Sequence, residues 1–146
     1  MPLKVSILLP CYNAEKHVGA TLESALAQTW RNTEIIAVND GSTDRTSEIL
    51  RSYAPRGVSV IDQVNKGQCA AANVAFQHSS GALIKFLDAD DLLSPDHIAL
   101  QAARISGLED HIAMGEWARF YNNEPETADF RSLPMYRDAD PVEWLA

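Results

Sequence analysis

Short, nearly continuous apolar runs rich in β-branched residues recur along the chain, each followed by a turn and a segment with helical spacing. Residues 4–9 (KVSILL) open the pattern as a strand suited to burial on both faces of a parallel sheet, and Pro10 ends it. With Asn13 as N-cap and Glu15 near the positive helix end, Val18, Leu22, Ala25 and Leu26 recur at i, i+4, i+7 and i+8. That predicts an amphipathic helix to about residue 29. Residues 34–38 (EIIAV) read as a second buried strand, 39–43 (NDGST) as a turn, and 46–53 as a helix with Ile49, Leu50 and Tyr53 inward.

A third strand at 58–61 leads through a loop at 65–68 into an alanine-rich helix ending near His78, and Ser80 and Gly81 stop it before a fourth strand at 82–87. Ser94, Pro95 and Asp96 supply an N-cap, a proline at N1 and an acid at N2 for a helix carrying Ile98, Ala102 and Ile105. Residues 112–117 read as a weaker fifth strand, interrupted by Gly115 and Glu116. Beyond Arg119 the chain turns irregular and polar, and Asp140 with Pro141 opens a last helix. The fold class that follows is α/β and Rossmann-like, a mostly parallel sheet with helices on both faces. Residues 1–117 are expected to form its core and 118–146 an incomplete continuation of the same domain.

At 146 residues and 46% apolar, the chain suits one domain of the usual ~100–200 residues and excludes disorder and collagen. Twenty acidic against 12 basic residues give a charge of −8, which argues against nucleic acid as a partner. No apolar run approaches the ~20 residues that span a bilayer, and the first residues run into a strand without a small-residue cleavage site. The expectation is a protein with no transmembrane segment or signal peptide. Cys11 and Cys69 match neither a disulfide framework nor a zinc spacing. They are expected as reduced thiols in the cytoplasm, with the protein free or peripheral at the cytoplasmic membrane face.

Ligands of such sheets sit at the carboxyl ends of the strands. Three strand ends deliver clusters there: Pro10 to Asn13, Asn39 to Asp44, and the run Asp88, Ala89, Asp90, Asp91. Carboxylates massed at one edge repel each other unless a cation or donors compensate. Mg²⁺ or Mn²⁺ prefers oxygen ligands, taking one or two carboxylates beside substrate phosphates, so Asp-x-Asp-Asp suits a metal-bound diphosphate as well as it suits an acidic turn before a helix. Asp40 suits an acceptor for an N–H of a base or an Asx-turn residue, and Tyr12 a ring on a nucleobase or a rim aromatic. Asp44 reads as helix-start chemistry. Asn65, Lys66, Gly67 and Gln68 offer a glycine turn and a helix N-terminus, without the pattern of a P-loop or dinucleotide site. His17, His78, His97 and His111 share no ligand spacing, and the first three lie on helices where exposure is the default. A phosphoacceptor receiver domain would need a lysine at the fifth strand end, and 112–117 has none.

VSILLPCYNAE at 5–15, AVNDGSTD at 37–44, Asn65-Lys66-Gly67 with Asn73, and FLDADD at 86–91 together resemble the nucleotide-binding half of a family 2, GT-A-fold glycosyltransferase. The order and spacing of the four motifs is more specific than any one of them. The resemblance implies that Pro10 and Tyr12 line a base pocket and that Asp40 binds the base, commonly uracil. It places Asp88, Asp90 and Asp91 at the DxD region, with Asp90 on the ribose side, Asp91 together with Asp90 on the metal, and Asp88 the rival ligand. The implied chemistry is inverting, metal-dependent transfer of a sugar from a UDP-sugar to a hydroxyl acceptor; the alternative is a module that binds a nucleotide or nucleotide-sugar without turnover. Where the family carries Ala-Arg-Asn, this chain has Ala71, Ala72 and Asn73, so Lys66 is expected to supply the missing charge. The family's general base lies well downstream of DxD, no base is assigned, and Glu116 is the first candidate. This chain alone is expected to bind donor without appreciable transfer, and Asp40→Ala to weaken binding with the fold intact.

Overall fold

β1 (Val5–Cys11) lies between β2 (Thr33–Asp40) and β4 (Leu83–Phe86), and β3 (Val58–Gln63) completes an all-parallel sheet in the order β3-β2-β1-β4. The computed structural model describes residues 2–108, 111–113, 115, 118–120, 124–128 and 130. The helices are α1 (Val18–Leu26), α2 (Thr46–Ser52), α3 (Gln68–Gln77) and α4 (His97–Ile105). The α/β class is as expected, with a mostly parallel sheet flanked by helices.

Strand periodicity sorts the core into two faces. Val5, Ile7, Leu9 and Cys11 of β1 and Ile35 and Ala37 of β2 face one way, toward Val18, Leu22 and Ala25 of α1, Leu50 of α2 and Ile98 of α4. Leu8, Ile36 and Val38 face the other way and meet Ala71 and Ala75 of α3. Two small residues at i and i+4 let α3 lie close on β1 and β2. Ile7, Leu8, Leu9 and Leu22 are all 0% exposed, and each such side chain contributes about 1.5–3 kcal/mol on leaving water.

The chain steps outward from β1 to β3 and then returns across two strands to β4. Right-handed crossovers in opposite directions place helices on opposite faces, which is why α3, among the described residues, packs on the face opposite α1, α2 and α4. The reversal between β1 and β4 is the topological switch point, and its carboxyl end is where such sheets open a crevice.

Several boundaries differ from expectation: β2 runs on through Asn39 and Asp40, which the sequence placed in the turn, β3 runs on to Gln63, β4 is shorter at both ends and α1 stops at Leu26. Three further differences have a visible physical cause. β1 runs through Pro10 to Cys11, pairing Pro10 with Val38. Leu8 O accepts from Leu87 N on the β4 side, so in a parallel ladder Pro10 also turns its nitrogen to that side, beyond the last β4 partner Phe86, and its missing N–H forfeits no ladder bond. α1 starts at Val18, because Asn13 adopts φ 46° and pairs with a neighbouring loop instead of capping. α4 starts at His97 with Asp96 as N-cap, since Ser94 O accepts from His97 N in a preceding turn and Asp96 Oδ1 accepts from Thr29. His97 is consequently half-buried with its Nε2 unpartnered, whereas His17 and His78 are exposed as expected.

The chain divides into two units, Met1–Ser106 and Gly107–Ala146. In the second, residues 112, 113 and 115 are not in a strand, while 114, 116 and 117 of the expected fifth strand and the expected helix from Asp140 lie outside the described residues. Among the described residues no helix is long and apolar enough to cross a membrane.

At the amino end of the sheet, Glu34 gathers Lys4 Nζ at 2.7 Å, Ser6 Oγ at 2.5 Å and Ser80 N at 2.7 Å. Gly81 belongs to this knot, for a Cβ there would meet Ser6 N at 2.6 Å. Burial would push the Glu34 carboxyl up, but these donors outweigh it and bring it from 4.5 to about 2. That drop corresponds to stabilisation on the order of 3 kcal/mol, present above pH 4.5 and lost as pH falls toward 2. Glu34→Gln should therefore cost about 1–3 kcal/mol at pH 7 and flatten the acid limb of stability relative to wild type. Urea unfolding between pH 7 and pH 2 checks both.

Candidate functional site

At the carboxyl edge of the sheet, beside the switch point, a cleft of about 580 Å³ opens. Pro10, Tyr12, Asp40, Asp88 and Asp90 all line it. Of the predicted site residues, Lys66 and Asp91 are not in its lining. Lys66 contributes its backbone, with an exposed side chain, and Asp91 lies exposed at the end of the acidic run, its N–H donating to Asp88 O.

The wall after β1 and the wall after β2 are stitched together. Asn13 N donates to Ser42 Oγ at 3.1 Å, and Asn13 Oδ1 accepts from Thr43 N at 2.8 Å. Ala14 N donates to Thr46 Oγ1, Glu15 N to Asp44 Oδ2, and Arg45 N returns a bond to Glu15 Oε2. Asp44 is helix-start chemistry as expected, its Oδ1 accepting from Thr46 N, and it also holds the other loop. Tyr12, 53% exposed, stands where these loops leave the sheet and lines the cleft.

Asn39 and Asp40 are consecutive in a strand and therefore point to opposite faces. Asn39 makes the turn bond, its Oδ1 accepting from Ser42 N, so the Asx role that the sequence left open for Asp40 belongs to its neighbour. Asp40, 2% exposed, faces α3. Its Oδ1 accepts from Gln63 Nε2 at 2.6 Å and Lys66 N at 2.8 Å, and its Oδ2 from Gly67 N at 2.8 Å. Burial would raise this carboxyl, but those donors hold it below the ordinary carboxylate range, so it is ionised. One lone pair of Oδ2 remains for a further N–H. Gly41 makes the approach possible: at φ 69°, an added Cβ would stand 2.7 Å from Asn65 N.

The segment after β4 is held by polar side chains of α1 and of the turn that follows it. Thr21 Oγ1 donates to Ala89 O at 2.9 Å, Ser24 Oγ accepts from Leu93 N, and Gln28 spans Ser94 O and Ile98 N. Thr21, on the apolar face of α1, and Gln28, two residues beyond its end, are both buried polar residues in an otherwise apolar pattern, and that is the signal. Gln63 was not singled out by the sequence and Gln68 only as part of the turn before α3, yet they hold Asp40 and Asp88. Cys11 lines the cleft as a buried thiol pushed up to about 12 by burial, so it remains protonated.

Burial, and then repulsion from Asp88 and Asp90, raise the Asp91 carboxyl, with Lys85 acting against them. Among the described residues no three metal-ligating side chains converge. A hard divalent cation that takes one or two carboxylates and completes its shell from phosphate and water fits such a set; an all-protein cage does not.

Residues 6–142 match the model of glycosyl transferase family 2. The chain is similar to glycosyltransferase GlyA of Streptococcus pneumoniae, 33% identical over 83% of this chain and 18% of that one. Its structure is similar to S. aureus TarS 1-349 in complex with UDP, with a TM-score of 0.66 and 30% identity over 70% of this chain and 32% of that chain. It is also similar to the mannosyltransferase PcManGT of Pyrobaculum calidifontis in complex with GDP-Man and Mn²⁺, with a TM-score of 0.65 and 25% identity over 75% and 33%. The chain thus spans a third or less of these relatives' lengths.

The placement of Asp40 revises one expectation. Asp40→Ala would remove the acceptor of three donors and should lower stability by about 1–3 kcal/mol, not leave the fold untouched. Urea unfolding, with faster amide exchange at Lys66 and Gly67 in the variant, is the measurement; unchanged exchange there would count against the anchor.

Proposed function

The chain belongs to glycosyl transferase family 2, and from that premise we propose that it is the donor-binding part of a metal-dependent glycosyltransferase, taking a UDP-sugar. The observation that carries this reading is the convergence of Pro10, Tyr12, Asp40, Asp88 and Asp90 on one cleft at the switch point. The similarity to structures holding UDP and GDP-Man supports it.

In this reading the base packs on Tyr12 beside Pro10, and its N–H donates to the open lone pair of Asp40 Oδ2. An ionised acceptor suits uracil N3–H and guanine N1–H and disfavours cytosine and adenine, which present a bare nitrogen on that edge. Asp90 takes the ribose, and the Asp88 to Asp91 run, with Asp91 and Asp88 as rival ligands, would hold Mn²⁺ or Mg²⁺. The exposed Lys66 ammonium supplies charge where Ala72 replaces the family's arginine. When bound, the cation would neutralise the charge developing on the departing diphosphate. Transfer proceeds with inversion, an acceptor hydroxyl attacking the anomeric carbon in line as a base removes its proton. Glu116, the first candidate for that base, lies outside the described residues. The setting proposed for the protein is the cytoplasm, free or at the cytoplasmic membrane face.

Calorimetry of UDP, GDP and CDP with Mn²⁺ and with chelator tests this. UDP should bind at least about tenfold more tightly with Mn²⁺, since repelling carboxylates otherwise face the diphosphate, and CDP should bind worst. Equal affinity of UDP in both conditions would remove the metal role. Released UDP, measured with a panel of hydroxyl acceptors, separates turnover from binding alone.

A further inference from the structure

Gln68 is the first residue of α3, and its Nε2 donates to Asp88 Oδ1 at 2.7 Å. Both residues line the cleft and both are exposed, so one amide bridges the α3 wall to the β4 wall across the place where the donor reading puts the diphosphate. The bridge engages one oxygen of a carboxylate that the cation would need. A neutral amide satisfies that oxygen with a hydrogen bond but adds no positive charge, and the mutual repulsion within the run of Asp88, Asp90 and Asp91 is offset only by Lys85 beside Asp91. Gly67 caps α3 with φ 90° and no side-chain bond, so Gln68 sits beside first-turn N–H groups that no cap has taken.

Resting on the donor-site reading above, we propose that Gln68 is a latch that couples cation and nucleotide binding. In the free protein its amide holds Asp88. With donor and cation present, the amide donates to a diphosphate oxygen, and Asp88 is released to the cation. Neither ligand alone meets both needs: a cation gives Asp88 a partner but leaves Gln68 without an acceptor, and a diphosphate does the reverse. Opening the latch therefore weakens whichever ligand binds first and leaves the second unburdened, which is positive coupling and is reciprocal.

The test uses the 146-residue chain, as wild type, Gln68→Ala and Gln68→Met, both exposed-site changes whose folding a melting curve confirms. Three affinities are measured for each: Mn²⁺ alone, UDP with chelator, and UDP with saturating Mn²⁺. Both variants should bind Mn²⁺ alone about three- to tenfold more tightly than wild type, the range expected for releasing one charged hydrogen bond at an exposed site. The factor by which Mn²⁺ tightens UDP should fall in the variants by the same amount. If wild type shows the Mn²⁺–UDP synergy and both variants reproduce its three affinities, the latch is overturned and the donor site stands. If wild type binds UDP under neither condition, the donor-site reading fails and takes the latch with it.

Discussion

β1 is hydrogen-bonded along both edges and covered on both faces, and the rest of the molecule is arranged around that fact. Its odd residues commit α1, α2 and α4 to one side and Leu8 commits α3 to the other. A strand so placed accepts little but apolar, largely branched residues until the sheet runs out on one side. That happens at Pro10, whose ring nitrogen turns to the edge β4 has already left. The end of the ladder and the start of the crevice are the same event.

The core is apolar, but the cleft is positioned by polar groups. Thr21, Ser24 and Gln28 hold the backbone of the segment after β4, and Asp40 holds the backbone before α3. Each such bond adds only about 0.5–1.5 kcal/mol net, small beside the burial of a leucine. Their value is directional. Apolar contacts fix how closely elements approach, whereas a carboxylate or amide fixes where a particular N–H or carbonyl points.

The strand and helix alternation was legible because burial on two faces writes itself into sequence as branched apolar runs, and Val18, Leu22, Leu50 and Ile98 were readable as core for the same reason. The strand-end acids were legible as a set, since Asp40, Asp88 and Asp90 each follow an apolar run. Helix starts were less so. Asn13 and Ser94 have the composition of N-caps, but each bonds across the chain instead, Asn13 to residues 42 and 43 and Ser94 through its carbonyl to Gln28. A local rule fails where a non-local partner competes for the same atoms. The side-chain roles of Gln63 and Gln68 were not readable, because a glutamine acquires its role only from what the fold sets opposite it.

The loops that follow β1 and β2 exchange hydrogen bonds in both directions, Asn13 with residues 42 and 43, Glu15 with Asp44 and Arg45. Neither has its shape independently of the other. For inheritance this makes the separation of 29 or 30 positions irrelevant to a tight pairing: a change at 13 or 15 is tolerated only if 42–45 answers it. For engineering it means the two loops form one cassette. The loop after the first strand, moved alone into another chain, would keep its shape only if the loop after the second strand travels with it.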